Sequence, residues 1–287
     1  VTESPVGPAP GGEAAPLRLP DPGLLFGARA TRLETLAAGH AAPEWLRLLS
    51  RIAGGQALAV REVPAGSARA AGDGPPLALD RLPRDGAWRR MLSVILSAAR
   101  SARNPTETEE ALRGLGAAGA AELEAIADGV LSGAVPQARV AAVPFVGAAL
   151  QAWLTALAAR LDPAALVAGG GRACPVCAGP PVAGIVQGND RYRYVTCAFC
   201  SAEWHVLRVH CAVCGGQQLE YLHAEGDRGA QAEACRTCGA YLKLFDCVDR
   251  PGADPAADDA ATIALDLIVA DEGFRRMGPN LYVAIGE

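Results

Sequence analysis

Eight of the nine cysteines fall in four C-x-x-C pairs: Cys174/Cys177, Cys197/Cys200, Cys211/Cys214 and Cys235/Cys238. No other feature restricts so tightly what the last third of the chain can fold into. Nineteen residues separate the first pair from the second, and twenty separate the third from the fourth. Both gaps match a four-cysteine metal site, in which roughly 15 to 20 residues lie between two C-x-x-C pairs. Aligning "CPVCAGPPVAGIV" with "CAVCGGQQLEYLH", and "CAFCSAEWHVL" with "CRTCGAYLKLF", shows the second unit repeating the first 37 residues on. Joining the two inner pairs would oblige the outer pairs to meet across the whole region, at a greater loop-closure cost, and would ignore the repeat. Interleaving ignores it too. The reading is therefore sequential, and "VTCAFCSAEWHVLRVHCAVC" holds the end of one site and the start of the next.

Four thiolates in a tetrahedron suit zinc or iron, and the spacing does not choose between them. The expected cofactors are two tetrathiolate-bound metal ions per chain, iron or zinc. A tetrathiolate site leaves no position for water or substrate, which argues against metal-centred catalysis. Purely structural zinc is the competing account, because metal supplies folding energy to a ribbon too small to bury much apolar surface. Each second cysteine precedes a small residue, Ala178, Ser201, Gly215 or Gly239, so a tight turn is expected to aim backbone N–H groups at the thiolates. His205, His210 and His223 lie nearby but are not needed, and Cys247 reads as a small buried hydrophobe. No nucleophile elbow, phosphate-binding glycine loop or Ser/His/Asp array is recognisable, so no enzyme activity and no catalytic residue are expected.

The rest of the chain reads as helical. Apolar residues make up 51% but aromatics only 5%, and much of the apolar share is alanine, which forms helices and fills little volume. Leu33, Leu36 and Ala37 recur at helical spacing, as do Trp45, Leu48, Leu49 and Ile52 behind Pro43, a residue suited to a first helical position. Residues 54–85 read as an irregular connection. A helix carrying Trp88, Met91, Leu92 and Ile95 follows, and Thr106 with Glu109 reads as a capping box opening the next. Leu123, Ile126, Ala127 and Val130 mark another. The uncharged stretch Val140 to Ala159 is long enough to span a membrane, but Val146, Leu150, Trp153 and Leu157 recur as in a core helix, and Pro144, Gln151 and Thr155 lower its hydropathy. No integral membrane protein is expected.

"VAGGGRA" breaks the helical pattern near residue 170. Strand-like "YRYVT", "EWHVLR", "LEYLH" and "YLKLF" follow, and one last helix begins at Asp254-Pro255. The expected organisation is a disordered leader, 1–22; an all-α domain, 23–169; two small β modules, 170–208 and 209–250; and a C-terminal helix and tail, 251–287. The opening residues are rich in proline and glycine and have no apolar signal-peptide core, so a reducing compartment and metal-bound cysteines are expected rather than disulfides. A net charge of −5 offers no general attraction for phosphate backbones, and residues 172–250 hold eight Lys/Arg against eight Asp/Glu. A nucleic-acid partner is not expected.

Three stretches, "CPVCAGPPVAGIVQ", "RYVTCAFCSAEWHVLRVHCAVC" and "CRTCGAYLKLF", resemble the FdhE-type accessory proteins needed to make active formate dehydrogenase. "ATIALDLIVADEGFRRMGPNLY" and "LFGARATRLETLAAGH" are similar to that family as well. The resemblance implies a helical N-terminal domain, two rubredoxin-like or zinc-ribbon modules carried by the eight paired cysteines, and a cytoplasmic protein. It further implies a partner, the catalytic subunit of formate dehydrogenase, bound before export or assembly. The alternative function is thiol-redox or sulfur-transfer chemistry at a C-x-x-C pair, with Cys174/Cys177 as first candidate.

Overall fold

The computed structural model describes residues 15–67, 69–70, 72–166, 173–227 and 229–283. The glycine-rich break at 168–171 and most of the expected leader lie outside them. The helical domain comprises α1 (Pro22–Ala37), α2 (Pro43–Glu62), α3 (Ala87–Ala99), α4 (Thr106–Ala117), α5 (Ala120–Ser132) and α6 (Val143–Ala158). Proline stands in the first turn of α1, α2 and α6, where its missing N–H costs nothing. The Asp21 side chain accepts from the Gly23 N–H at 2.8 Å, capping α1.

The apolar stretch considered as a membrane span is the centre of this domain. Helix α6 packs against α2, α3 and α5. Of the apolar window within Gln137–Ala158, 78% is buried in the molecule, so the segment serves as a core helix. Its Trp153 indole donates to the Ala65 carbonyl at 3.0 Å, tying down the irregular segment after α2.

Two helical expectations need correction. Residues 54–62 belong to α2, with Gly54 and Gly55 inside it. The reason is packing: a Cβ on Gly55 would lie 2.9 Å from the Ile95 backbone, so glycine lets α2 and α3 approach closely. The irregular connection begins only at Val63. The Thr106 capping box does not form either. Pro105 carbonyl accepts from the Glu109 N–H at 3.0 Å, which starts the helix a residue earlier, and the Glu109 carboxylate takes the Asn104 side-chain amide at 2.8 Å.

Beyond the helices one sheet runs through both cysteine units. Its strands are β1 (Leu17–Arg18), β2 (Pro181–Gln187), β3 (Tyr192–Cys197), β4 (Glu203–His205), β5 (Leu219–Leu222), β6 (Ala230–Cys235), β7 (Ala240–Asp246) and β8 (Arg275–Arg276). The order is β1-β4-β3-β2-β7-β6-β5, with β8 on β7. Each repeat is an antiparallel ladder of its own, and the two are fused where β2 runs parallel to β7, Gly184 opposite Leu244. A Cβ at Gly184 would lie 2.7 Å from the Leu244 side chain and 3.0 Å from the Tyr194 carbonyl, so glycine lets β2 sit closely between β3 and β7. Strands β2 and β6 were not among the strand-like runs read from sequence. β1 corrects the expected leader: residues 17–18 are ordered and pair with β4.

The single expected C-terminal helix is two, α7 (Pro255–Ala261) and α8 (Ile263–Asp271). The break falls at Thr262 (φ −114°, ψ 32°). There the buried Lys243 ammonium donates to the Asp259 carbonyl at 2.7 Å and reaches the Thr262 carbonyl at 3.3 Å, while the same carbonyls also accept i+3 amides, from Thr262 at 3.3 Å and Leu265 at 3.0 Å.

The contrast between neighbouring glycines is testable by chemical denaturation. Gly54 has nothing within 4 Å of its Cβ position, so Gly54→Ala should stabilise by about 0.5–1 kcal/mol through reduced backbone freedom in the unfolded chain. Gly55→Leu should destabilise by about 2 kcal/mol or more by wedging α2 from α3.

Candidate metal centres

Every C-x-x-C pair sits in a tight turn at the end of a strand. Cys174/Cys177 precede β2 and Cys211/Cys214 precede β5; Cys197 and Cys235 close β3 and β6, with Cys200 and Cys238 in the turns that follow. Ala178, Ser201, Gly215 and Gly239 all take the left-handed conformation, with φ of 62°, 57°, 72° and 71°. This conformation reverses the chain, and the turns it closes aim backbone N–H groups at the thiolates as expected. The N–H groups of Ala178, Gly215 and Gly239 return to the carbonyls of Cys174, Cys211 and Cys235. The sulfurs are served by other amides: Val176 N–H to Cys174 Sγ at 3.4 Å, Phe199 to Cys197 at 3.4 Å, Val213 to Cys211 at 3.3 Å and Gly216 to Cys214 at 3.3 Å.

The turns bring the sulfurs together in the sequential arrangement. Cys174, Cys177, Cys197 and Cys200 form one group, and Cys211, Cys214, Cys235 and Cys238 form the other, with the Sγ atoms in each within 4.8 Å of one another. Sulfur separations are 3.3 Å for Cys177–Cys197 and 3.5 Å for Cys174–Cys200 in the first, and 3.6 Å for Cys214–Cys235 and 3.8 Å for Cys211–Cys238 in the second. A tetrahedron with metal–sulfur bonds of about 2.3 Å has edges of about 3.8 Å, and a disulfide would need about 2.05 Å. Each group therefore fits a tetrathiolate ion.

The electrostatics point the same way. Burial pushes the Cys177 and Cys200 thiols well up, with their sulfur neighbours adding to the effect. At Cys197 burial acts in the same sense, but donation from the other three cysteines outweighs it and holds the thiol well down. In the second group burial brings Cys211 up to about 12. Burial also acts to raise Cys235, but amides of Cys238 and Thr237 overcome it and bring that thiol down to about 7. Such groups stand fully ionised together only around a cation.

The remaining candidates lie outside both groups. His205 packs against Tyr192 and Tyr194 with ring centroids 5.6 and 5.7 Å away, His210 bonds Gln217 at 3.0 Å, and His223 is exposed. Cys247 is half-buried against the core, its thiol raised first by burial and then by Asp246. The pair nominated for redox chemistry, Cys174/Cys177, is fully buried, whereas Cys214 and Cys238 are partly exposed.

Sequence reading missed the residues that hold the centres in place. Gln151, on α6, donates to the Ala198 carbonyl in the first cluster's turn at 2.7 Å and accepts from Arg29 at 2.9 Å and Gln56 at 3.2 Å. Arg29 is itself buried and paired with Asp254 at 2.9 Å. One turn on, Thr155 reaches the Ser201 hydroxyl at 3.2 Å. The signal was available: a glutamine and a threonine four apart on an otherwise apolar helix share a face and must find polar partners. Beside the second cluster, Lys243 pairs with Asp259 at 3.1 Å and Asp266 at 2.6 Å, and Arg276 pairs with the same two carboxylates. Between the modules Arg193 pairs with Glu233 and donates to the Leu207 and His210 carbonyls at 2.7 and 2.6 Å, fixing the connecting segment.

An all-α domain followed by two rubredoxin-like four-cysteine ribbons defines the class: a helical protein that carries a pair of candidate tetrathiolate centres. Three family profiles match in succession: "FdhE, N-terminal" over residues 14–170, "FdhE, central domain" over 173–208 and "FdhE, C-terminal domain" over 209–283. A "Protein FdhE homolog" of Pseudomonas putida is 38% identical, covering 91% of this chain and 88% of its own. Another, of Edwardsiella ictaluri, is 34% identical, covering 96% and 94%. The crystal structure of the FdhE protein from Pseudomonas aeruginosa superposes with a TM-score of 0.84 at 35% identity, over 95% of this chain and all of that one. The chain belongs to the FdhE family.

Two outcomes follow from this geometry. Metal uptake must displace protons from thiols raised by burial, such as Cys211, so affinity should rise with pH and fall on acidification, by about tenfold per pH unit for each proton displaced. Competition titrations between pH 6 and pH 8 measure that slope. Gln151→Leu removes the acceptor of a buried Arg29 N–H and the donor to the Ala198 carbonyl, and should cost about 3 kcal/mol in urea denaturation.

Proposed function

We propose that this chain is an accessory protein for the maturation of formate dehydrogenase, binding that enzyme's catalytic subunit in the cytoplasm before export or assembly. The observation that carries the reading is family membership along the whole chain, with all three FdhE regions matched in order. The chemistry agrees with a binding rather than a catalytic role. Cys174, Cys177, Cys197 and Cys200 would hold one iron or zinc ion, and Cys211, Cys214, Cys235 and Cys238 the other. Four thiolates saturate a tetrahedral ion, so its contribution is to crosslink each ribbon and hold its turns rigid. Fusion of the ribbons through β2 and β7 makes that rigidity continuous across both.

The test is retention of the client. The tagged, metal-loaded chain should capture the formate dehydrogenase catalytic subunit from a cytoplasmic extract, and stripping the metal should weaken capture. A chain carrying its full metal complement that retains none of that subunit would rule the reading out. Elemental analysis of the same preparation should find about two transition-metal ions per chain, and would decide between iron and zinc.

A further inference from the structure

Ligand set and turn geometry are the same in both clusters, yet their surroundings differ. All four cysteines of the first are sealed, at 0–1% exposure. The helical domain closes over both turns. The Leu77 and Leu79 N–H groups donate to the Val176 and Cys177 carbonyls at 2.9 and 3.1 Å, while Gln151 and Thr155 hold Ala198 and Ser201. A Cβ on Gly179 would lie 2.8 Å from the Phe199 ring and 3.3 Å from Leu79, so nothing fits between turn and lid. Anything reaching this cluster must first lift α6 and the segment 77–79 away.

Among the described residues the second cluster has no such lid. Cys214 and Cys238 are partly exposed, whereas Cys211 and Cys235 face inward at 5% and 1%. Among the described residues, nothing beyond the adjoining chain lies within 4 Å of the Cβ positions of Gly215 and Gly239, the residues at the crests of its turns. The turns are held from within the ribbon, Cys211 N–H to the Gly216 carbonyl at 2.7 Å, and from β8, Arg275 N–H to the Gly239 carbonyl at 2.8 Å.

We propose that the two centres have divided roles: the first is a permanent structural fixture, and the second is an exchange site whose ion is open to an incoming thiolate through the Cys214/Cys238 face. A saturated tetrathiolate ion exchanges by attack along an unobstructed face, and a soft thiolate donor competes well with cysteine for such an ion. As the incoming sulfur bonds to the ion, the bond to Cys214 or Cys238 breaks. The released thiolate carries off the negative charge that the incoming thiolate brought, so charge balances. No electrons move, and Cys211 and Cys235 keep the ion in place. The inference rests on the tetrathiolate reading of both clusters and is independent of the client.

The experiment uses the full, metal-loaded chain with an excess of chromophoric chelator, quenched at intervals with iodoacetamide and mapped by peptide mass. Metal should leave in two equal phases, differing in rate by roughly tenfold or more, because opening the first centre requires local unfolding. Peptides containing Cys211, Cys214, Cys235 and Cys238 should be alkylated in the fast phase, those containing Cys174, Cys177, Cys197 and Cys200 only in the slow one. Glutathione should accelerate the fast phase in proportion to its concentration and leave the slow phase unchanged. A single phase, a fast phase that alkylates the first cluster, or indifference to glutathione would overturn the division of roles. A chain that takes up neither iron nor zinc would remove the metal reading itself, which is a separate failure.

Discussion

The Gln151 side chain is the joint on which the parts of this molecule turn. Helix α6 is apolar enough to be the core of the helical domain, yet it carries an amide at its centre that must be satisfied without water. Its carbonyl oxygen takes Arg29 and Gln56, and its NH₂ group takes the Ala198 carbonyl. Arg29 in turn engages Asp254, whose carboxylate also accepts from the Ala256 and Ala257 N–H groups and so starts α7. Helical domain, first ribbon and C-terminal helices thus converge on one buried network. Networks of this kind hold only when complete, because in a low dielectric each unpaired member costs more than a bonded one contributes.

The second ribbon is organised by charge rather than by an amide. Lys243, with no exposure, lies among Asp259, Asp266 and the carbonyls at the α7–α8 break, and Arg276 closes the set from β8. At Asp259 burial works against ionisation, but Lys243 and Arg276 outweigh it and hold the carboxyl below its ordinary range. Desolvating so many charges gives little net stability compared with apolar packing. What it gives is register: Lys243 lies on β7, five residues after Cys238, so the same strand sets both the cysteine turn and the place where the final helices dock.

What could be read from the chain, and what could not, divides along the range of the interactions. Cysteine spacing is a local covalent constraint, and Cys174 to Cys200 and Cys211 to Cys238 close as the repeat implied. Helices with a clear apolar face, such as the one bearing Trp88 and Met91, were equally legible. Gly55 was not, because its neighbour across the interface, Ile95, is distant in sequence. Thr262 has ordinary helical surroundings in sequence, and its contact with Lys243 comes from another element. Strand β6, "AQAEAC", has low β-propensity and is extended because β5 and β7 flank it. Arg29 fell outside the expected core because a buried guanidinium is rare unless partners are already in place, and its partners lie far along the chain.

The two-residue strand β1 deserves its length. His205 N–H donates to the Pro16 carbonyl at 3.1 Å, the Tyr194 hydroxyl reaches the Ala15 carbonyl at 3.0 Å, and the Arg18 guanidinium stacks 3.7 Å from the Tyr194 ring centroid. The chain's early residues are thereby stitched to a ribbon made nearly two hundred positions later. During synthesis that stitch has to wait for the ribbon to emerge from the ribosome, so the helices are left with an untied end until late in translation. Once closed, it occupies the outer rim of β4 with a strip too short to recruit another strand, and lateral stacking of copies along that rim is blocked.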